Sequence, residues 1–264
     1  MHAEDTLIDL LASCYGARDS LTCAESDAGL FIQAPVAFVD PQTAAFRSDA
    51  AVLNDLAISH RLSVLVGRRE HRIGDDHSLA IKSMERLTET IDAVDGYQVS
   101  LHVELTREPN ERVATLRSTL VARSGTEARS VVTLFNVLPP SLVSFVRRTR
   151  KFLDYANVRI DRAVPQLSAL ADGHFRYFPS EGDRLSDGAR VDHVPALTMI
   201  DIALSVGTAR NPGALDADIS AQFLSYADPR QPFDIVPGDA HGVVAFMQND
   251  QRVAEIRCRE RVGA

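Results

Sequence analysis

This chain is short of thiols, of positive charge and of long apolar runs, and each shortage removes a class of protein. Three cysteines, Cys14, Cys23 and Cys258, are spread over 264 residues. They are too few and too scattered for a disulfide framework or a Cys-based zinc site, and the odd count leaves one thiol over, which suits a reducing cytoplasm. Lys and Arg number 28 against 36 Asp and Glu, a formal charge of −8, whereas nucleic-acid binders concentrate cations to neutralise phosphates. Nucleic acid is therefore not expected as a partner, and a small or protein-borne substrate is. No stretch approaches the roughly 20 consecutive apolar residues of a membrane helix. Glu4, Asp5 and Asp9 surround the short apolar N-terminal stretch, where a secretory signal has a basic start. The expectation is a soluble, cytoplasmic protein with no membrane partner. Gly-x-Ser-x-Gly, Gly-x-x-x-x-Gly-Lys and His-Glu-x-x-His are missing too, so hydrolase-triad, nucleotide and zinc-protease readings lack their characteristic residues.

What is present is ample apolar material, 45% of residues, enough for one large core or two of roughly 100 residues each. Residues 5–15 read as a short amphipathic helix, with Asp5 or Thr6 as cap, Leu7, Ile8, Leu10, Leu11 and Cys14 on one side and Gly16 as stop. Further along, the pattern predicts a long helix from Asp49 to Arg69, then extended stretches at 78–87, 97–106 and 112–123, with a turn at Glu108–Glu111. The second half repeats this order: a helix from Pro195 to Ala209, extended stretches at 217–227, 241–248 and 252–260, and a turn at Asn249–Asp250. Two short matches support a duplication. Asp55-Leu-Ala-Ile-Ser59 resembles Asp201-Ile-Ala-Leu-Ser205, and Arg112-Val-Ala-Thr-Leu-Arg117 resembles Arg252-Val-Ala-Glu-Ile-Arg257, at nearly the same offset.

A helix followed by antiparallel strands, occurring twice, predicts an α+β fold in which each copy wraps one sheet over one mostly buried helix. The division expected is an N-terminal helical appendage at 1–24, a first repeat at 25–126, a linker with a bridging helix at 127–165 and a second repeat at 166–264. In the linker Pro139-Pro140 breaks the chain, Ser141 is the expected cap, and Leu142, Phe145, Val146, Phe152, Leu153 and Ala156 keep helical spacing. The opposite face has Arg147, Arg148, Arg150 and Lys151, the densest positive cluster in an acidic chain. It reads either as a solvated face or as a landing site for an acidic carrier protein or a phosphate.

The segment from Asp192 through Ser205 holds the chemistry. Asp192 or His193 is the expected cap, and Pro195 falls in the first turn, where its missing N–H costs nothing. The N–H groups of such a helix start can polarise a thioester carbonyl or stabilise an oxyanion, and a carboxylate and an imidazole nearby supply acid and base. Against a catalytic Asp201 stands a plainer reading: Thr198, Asp201, Ser205 and Thr208 form one polar stripe, matched by Asp55, Ser59 and Ser63, as at a solvated face or a seam between repeats. His193 reads equally as a capping or packing residue. A Gly74-containing loop gathers His71, Asp75, Asp76 and His77, residue types that hold metals, but nothing in the sequence fixes their geometry and no metal is expected.

Asp192-His193-Val194-Pro195-Ala196, followed by Asp201-Ile202-Ala203, resembles the second repeat of the A-factor biosynthesis hot-dog family, the γ-butyrolactone synthases. Their pattern there is Asp-His-Val-Pro-Gly, four further residues, then Glu-Ala-Ala. The family's Phe-x-x-Tyr-Ala is matched by Phe223, Tyr226 and Ala227, and its closing Gln-Asp-Gly-x-x-Val hairpin by Gln248 to Val253. The likeness covers residues 190–260. The segment is also similar, more distantly, to the β-hydroxyacyl-carrier-protein dehydratases, whose central helix opens on a proline with a catalytic Glu or Asp six residues later, as with Pro195 and Asp201. Their upstream His-Phe-Pro-Gly is not met, because His193 sits too close to Pro195.

The resemblance implies a double hot-dog and a thioester of acyl carrier protein or coenzyme A as substrate, its pantetheine arm entering between the units, with no further cofactor. It implies an acyltransferase of specialised metabolism, with Asp201 and His193 as catalytic residues and Asp192, Pro195, Ala196, Phe223 and Tyr226 around the substrate. A dehydratase or hydratase and a non-catalytic acyl- or carrier-binding module are the alternatives, and such a fold admits a homodimer. Ala196 replaces the family's glycine, Asp201 its glutamate and Ser225 a basic residue, while the first repeat shows only Asp55 and His60 on its helix.

Overall fold

The computed structural model describes residues 22–26, 29–34, 49–107, 113–147, 153–154, 167–170, 173–179, 190–191, 193–210, 217–238 and 242–260. The expected helix at 5–15, the turn at 108–111, Asp192, and Arg148, Arg150 and Lys151 lie outside them. The chain groups into two compact units, one running to Leu138 without Ile81–Ser83, the other taking Ile81–Ser83 and running on from Pro139. Both are α+β, with antiparallel strands and few helices.

In the first unit, β1 (Thr22–Ser26) and β2 (Gly29–Ala34) form an antiparallel hairpin, and β2 pairs β3 (Ser78–Thr106) with Leu30 opposite Leu101. β3 in turn pairs β4 (Ala114–Leu138). Helix α1 (Asp49–Glu70) packs on β4. Val52, Leu53, Leu56 and Leu62 recur on one side of α1 and are buried, as are Leu116, Leu120, Val131 and Phe135 on β4. Each such side chain contributes about 1.5–3 kcal/mol by leaving water. Gly67 permits close approach of helix and sheet, since a Cβ there would lie 2.5 Å from Leu116 Cδ2.

The helix ends where Arg72 enters the left-handed region (φ 52°), with Ile73 N–H bonded to Arg68 O at 3.0 Å and Arg72 N–H to Arg69 O at 3.5 Å. This is a paired C-terminal cap. The following loop is the one whose His and Asp residues suggested a metal. Arg68 ties it down, donating to Gly74 O (2.6 Å) and His77 O (2.8 Å), while His77 Nδ1 lies 2.9 Å from Asp76 Oδ1 and His71 Nε2 3.3 Å from Val103 O. Among the described residues no three His, Cys, Asp or Glu side chains are placed to hold a metal ion.

Both long strands exceed the sequence expectation. β3 continues through 88–96, and β4 runs on through the stretch 127–138 that the sequence assigns to the linker. β4 stays regular because inward positions remain small or apolar on both sides of a phase change: Ala114, Leu116, Leu120 and Ala122 before it, Val131, Phe135 and Val137 after it. The bridging helix is correspondingly shorter. Helix α2 spans only Pro140–Arg147, and Leu153–Asp154 form a strand, β5, paired with β8 (Arg190–Val191). Its start differs too: Pro139 O accepts from Leu142 and Val143 at 3.0 Å, so Pro139 is the cap and Pro140 the first helical residue, ahead of Ser141. Phe145, one of the apolar positions at helical spacing, is 67% exposed.

The second unit is an antiparallel sheet in the order β6 (Leu167–Ala169), β7 (Phe175–Tyr177), β10 (Phe233–Pro237), β11 (Val243–Gln248), β12 (Gln251–Glu260) and β9 (Ala217–Phe223). The hairpin between β11 and β12 turns at Asn249–Asp250, both with positive φ (51° and 59°), as a two-residue turn between twisted strands requires. Across β7 and β10, Arg176 faces Asp234 in register and donates Nε to Oδ1 at 2.6 Å and Nη2 to Oδ2 at 3.0 Å. Those bonds hold the Asp234 carboxyl below the usual carboxylate range. The pair's stabilisation is thus present at neutral pH and lost as pH falls through the lowered Asp234 value; both groups are part-exposed, so it is small. Tyr177, Phe233 and Phe246 stack with centroids 5.1 and 5.6 Å apart and anchor the core.

Gly242 on the approach to β11 is irreplaceable by size: φ is +77°, and a Cβ would lie 2.1 Å from Cys258 O. Cys258 itself, on β12 opposite Ile219, has its thiol pushed by burial up to about 12. It therefore stays protonated and unreactive at mildly alkaline pH. Brief alkylation followed by peptide mapping should leave Cys258 unmodified in the native protein and modify it in denaturant. Equal labelling in both would contradict this placement.

The third helix is α3 (Ala196–Arg210). Every residue from Thr198 to Leu204 is buried. Seven successive positions cover all sides of a helix, so α3 is enclosed all round rather than laid on a surface. It packs on β12. No helix among the described residues is long and apolar enough to cross a membrane.

Candidate active site

The start of α3 is set by Pro195. The residue before a proline is biased out of helical conformation, and Val194 instead donates its N–H to Ala227 O at 3.0 Å. Pro195 O accepts from Met199 N–H at 3.3 Å, which makes Pro195 itself the cap, in place of the expected Asp192 or His193, and Ala196 the first helical residue. A proline cap brings no side-chain oxygen to the first N–H groups, unlike Ser, Thr, Asp or Asn.

His193 lies just outside the helix, half-buried, with its ring tilted 52° against Tyr226 at a centroid distance of 4.8 Å. Tyr226 comes from the loop after β9, and a dense set of bonds fixes that loop. Leu224 and Ser225 N–H both reach Val253 O, at 2.9 and 3.3 Å. Gln248, buried at the end of β11, accepts from Asp228 N–H at 2.7 Å and donates to Asp228 O and Gln231 O at 3.0 and 3.2 Å. Asp228 in turn holds Arg230 through Nε (3.1 Å) and Nη2 (2.8 Å). A loop with its backbone bonded this way is a rigid platform for Tyr226. Replacing Gln248 with alanine should cost about 1–3 kcal/mol, because buried backbone groups lose their partners. A urea midpoint equal to that of the wild type would show that the loop holds without it.

Phe223 shares strand parity with the buried Ile219 and Ala221, so it stands on the core side of β9, half-buried. Asp201 occupies the second turn of α3 between Ile200 and Ile202, at 2% exposure. That excludes the solvated-face reading of its polar stripe. Thr198 lies one turn before it at 3% exposure, and one turn after it Ser205 Oγ donates to Asp201 O at 2.8 Å. The second unit thus holds His193 against Tyr226 at the mouth of the helix and Asp201 with Thr198 inside it. Arg147 is the last residue of α2, and the rest of its cluster lies outside the described residues.

The first unit holds what the sequence reading missed. Asp55, at the same place in its local motif as Asp201, is buried and accepts from Arg86 Nε at 3.0 Å and from Arg129 Nη1 at 3.1 Å to each oxygen. Arg86 is 2% exposed, and Arg129 also meets Glu127 at 3.2 Å. A signal existed. Met84, Arg86 and Thr88 share the inward parity of β3, so a charge stood on a core-facing position that only an opposite charge could answer. His60 lies near Phe135 on β4, ring centroids 5.8 Å apart.

No protein-family profile matches this chain, and no curated protein matches it. Solved structures do. The chain is similar to HtdX of Mycobacterium tuberculosis, at 11% identity and a TM-score of 0.42 over 97% of this chain and 95% of that one. It is similar to a 12:0-ACP thioesterase from Umbellularia californica, at 12% identity and 0.44 over 95% and 97%. A MaoC-like dehydratase from Phytophthora capsici follows at 11% identity and 0.39, over 69% of this chain and 72% of that one. The likeness is loose, and the architecture stands on the elements and pairings described above.

Proposed function

We propose that this chain is a double hot-dog enzyme acting on acyl thioesters, and that its second unit moves an acyl group from a carrier-protein or coenzyme A thioester to a small hydroxyl acceptor in specialised metabolism. One observation supports this above the rest: a carboxylate, Asp201, buried in a helix that begins at a proline cap two residues after His193, whose ring meets Tyr226. Burying a carboxylate is costly, and buried carboxylates cluster where acid–base chemistry needs them.

In this reading the thioester carbonyl lies at the start of α3, where the first N–H groups meet its oxygen. Asp201 takes the proton of the acceptor hydroxyl as that oxygen attacks the carbonyl carbon. The tetrahedral oxyanion collapses, the C–S bond breaks, and the departing thiolate recovers the proton from Asp201. His193, held by Tyr226, positions the acceptor. Arg147, Arg148, Arg150 and Lys151 receive the acidic carrier.

The six-residue spacing from Pro195 to the buried Asp201 also favours a second reaction, dehydration or hydration of a β-hydroxyacyl thioester with Asp201 as the acid. One set of assays separates the readings. Acyl-carrier and acyl-coenzyme A thioesters are incubated with the protein, with and without a hydroxyl acceptor such as dihydroxyacetone phosphate. Acceptor-dependent thiol release with ester formation is expected. Loss of enoyl absorbance without thiol release would favour hydration, and tight binding without turnover would reduce the chain to a binding module.

A further inference from the structure

We propose that Thr198 is a substrate-contacting residue of this site, its hydroxyl donating a hydrogen bond to the oxygen of the bound thioester carbonyl. The inference rests on the reading of the α3 start as a thioester site. It adds a residue that neither the motif nor its resemblance points to.

Thr198 is 3% exposed, and among the described residues its Oγ has no hydrogen-bond partner. A helical hydroxyl normally has the carbonyl one turn earlier within reach; among the described residues Ser59 Oγ on α1 is the other buried helical hydroxyl without a partner. The same chain uses that option elsewhere: Ser63 donates to Ser59 O, and Ser205 donates to Asp201 O. Thr198 does not take it, although Val194 and Pro195 carbonyls stand four and three residues before it. A buried hydroxyl without a partner is destabilising, and valine would fill the same space without that cost.

Position supplies the function. Thr198 is the third residue of α3, in the first turn, whose N–H groups have no carbonyl one turn earlier within the helix and whose cap, Pro195, brings no side-chain oxygen. It also lies three residues before Asp201, on the same helix face. An acyl-thioester oxygen has two lone pairs and no proton, so it can accept from Thr198 Oγ and from a helix N–H together. The bond shortens as the oxygen becomes an oxyanion, and Thr198 keeps its proton throughout, so it binds and stabilises without transferring a group.

The test uses the full chain with Thr198→Val and Thr198→Ser. Thr198→Val should fold with a urea midpoint at or above that of the wild type, since it removes an unpartnered polar atom. Its kcat/KM for an acyl thioester should fall on the order of a hundredfold, and Thr198→Ser should recover most of the loss. An active wild type with an equally active Thr198→Val overturns the inference alone. So does a Thr198→Val protein that loses stability as a broken hydrogen bond would require, because the hydroxyl then serves the fold. A wild type that neither turns over nor binds any acyl thioester overturns the reading of the site, and this inference with it.

Discussion

Replacing Asp55 with alanine is expected to destabilise the first unit by about 3–5 kcal/mol. Asp55 is the shared acceptor of Arg86 and Arg129, and Arg86 is 2% exposed. Taking away the carboxylate leaves a guanidinium in the core with its main counter-charge gone. A loss of that size is a large fraction of the roughly 5–15 kcal/mol that holds a domain together. Asp55→Asn should fall between, since an amide oxygen still accepts one bond but brings no charge. Arg129→Ala should cost less than Asp55→Ala, because the Arg129 side chain is part-exposed and leaves Arg86 with the carboxylate. Denaturation followed by probes in each unit separately would resolve the effect, as two units need not unfold as one. An Asp55→Ala protein as stable as the wild type would refute this ordering.

The same residue shows what periodicity conveys and what it omits. The helical spacing predicts 49–69 and 195–209, against Asp49–Glu70 and Ala196–Arg210 in the structure, because long runs of period near 3.6 are hard to mimic. The Asn249–Asp250 hairpin was legible for an equally local reason, the tolerance of those residues for positive φ. The strands β6, β7 and β10 were not. Three to five residues such as Phe175–Tyr177 carry too little alternation to stand out, and their place is fixed by pairing with one another and, through β10, with β11.

Burial was the larger gap. The stripes at Asp55 and Asp201 look alike in sequence, and both carboxylates are buried. What separates them is tertiary: one meets two guanidiniums from strands 31 and 74 residues away, the other sits in an enclosed helix beside Thr198. The first unit, where the sequence shows only Asp55 and His60 on the helix, holds an ion-pair cluster of Asp55, Arg86, Arg129 and Glu127. Its Asp55 is held by those arginines, and Asp201 is the carboxylate whose chemistry the proposed reaction puts to the test.

Asp201→Asn is expected to lower the rate of acyl transfer by about 10²–10⁴, the usual contribution of a positioned acid–base group, while thioester binding persists. Asparagine matches aspartate in size and removes only the charge and the ability to take a proton. Asp201 is 2% exposed, so the urea midpoint of the variant is read beside its rate. A rate that falls much further than the folded fraction is what a residue with a structural role alone would not show. His193→Ala gives a second axis. It removes the ring stacked on Tyr226 at 4.8 Å and leaves the carboxylate untouched, so it should lower the rate less than Asp201→Asn and mainly through acceptor binding, seen as a raised KM for the acceptor. Transfer unimpaired in both variants would remove these two residues from the chemistry.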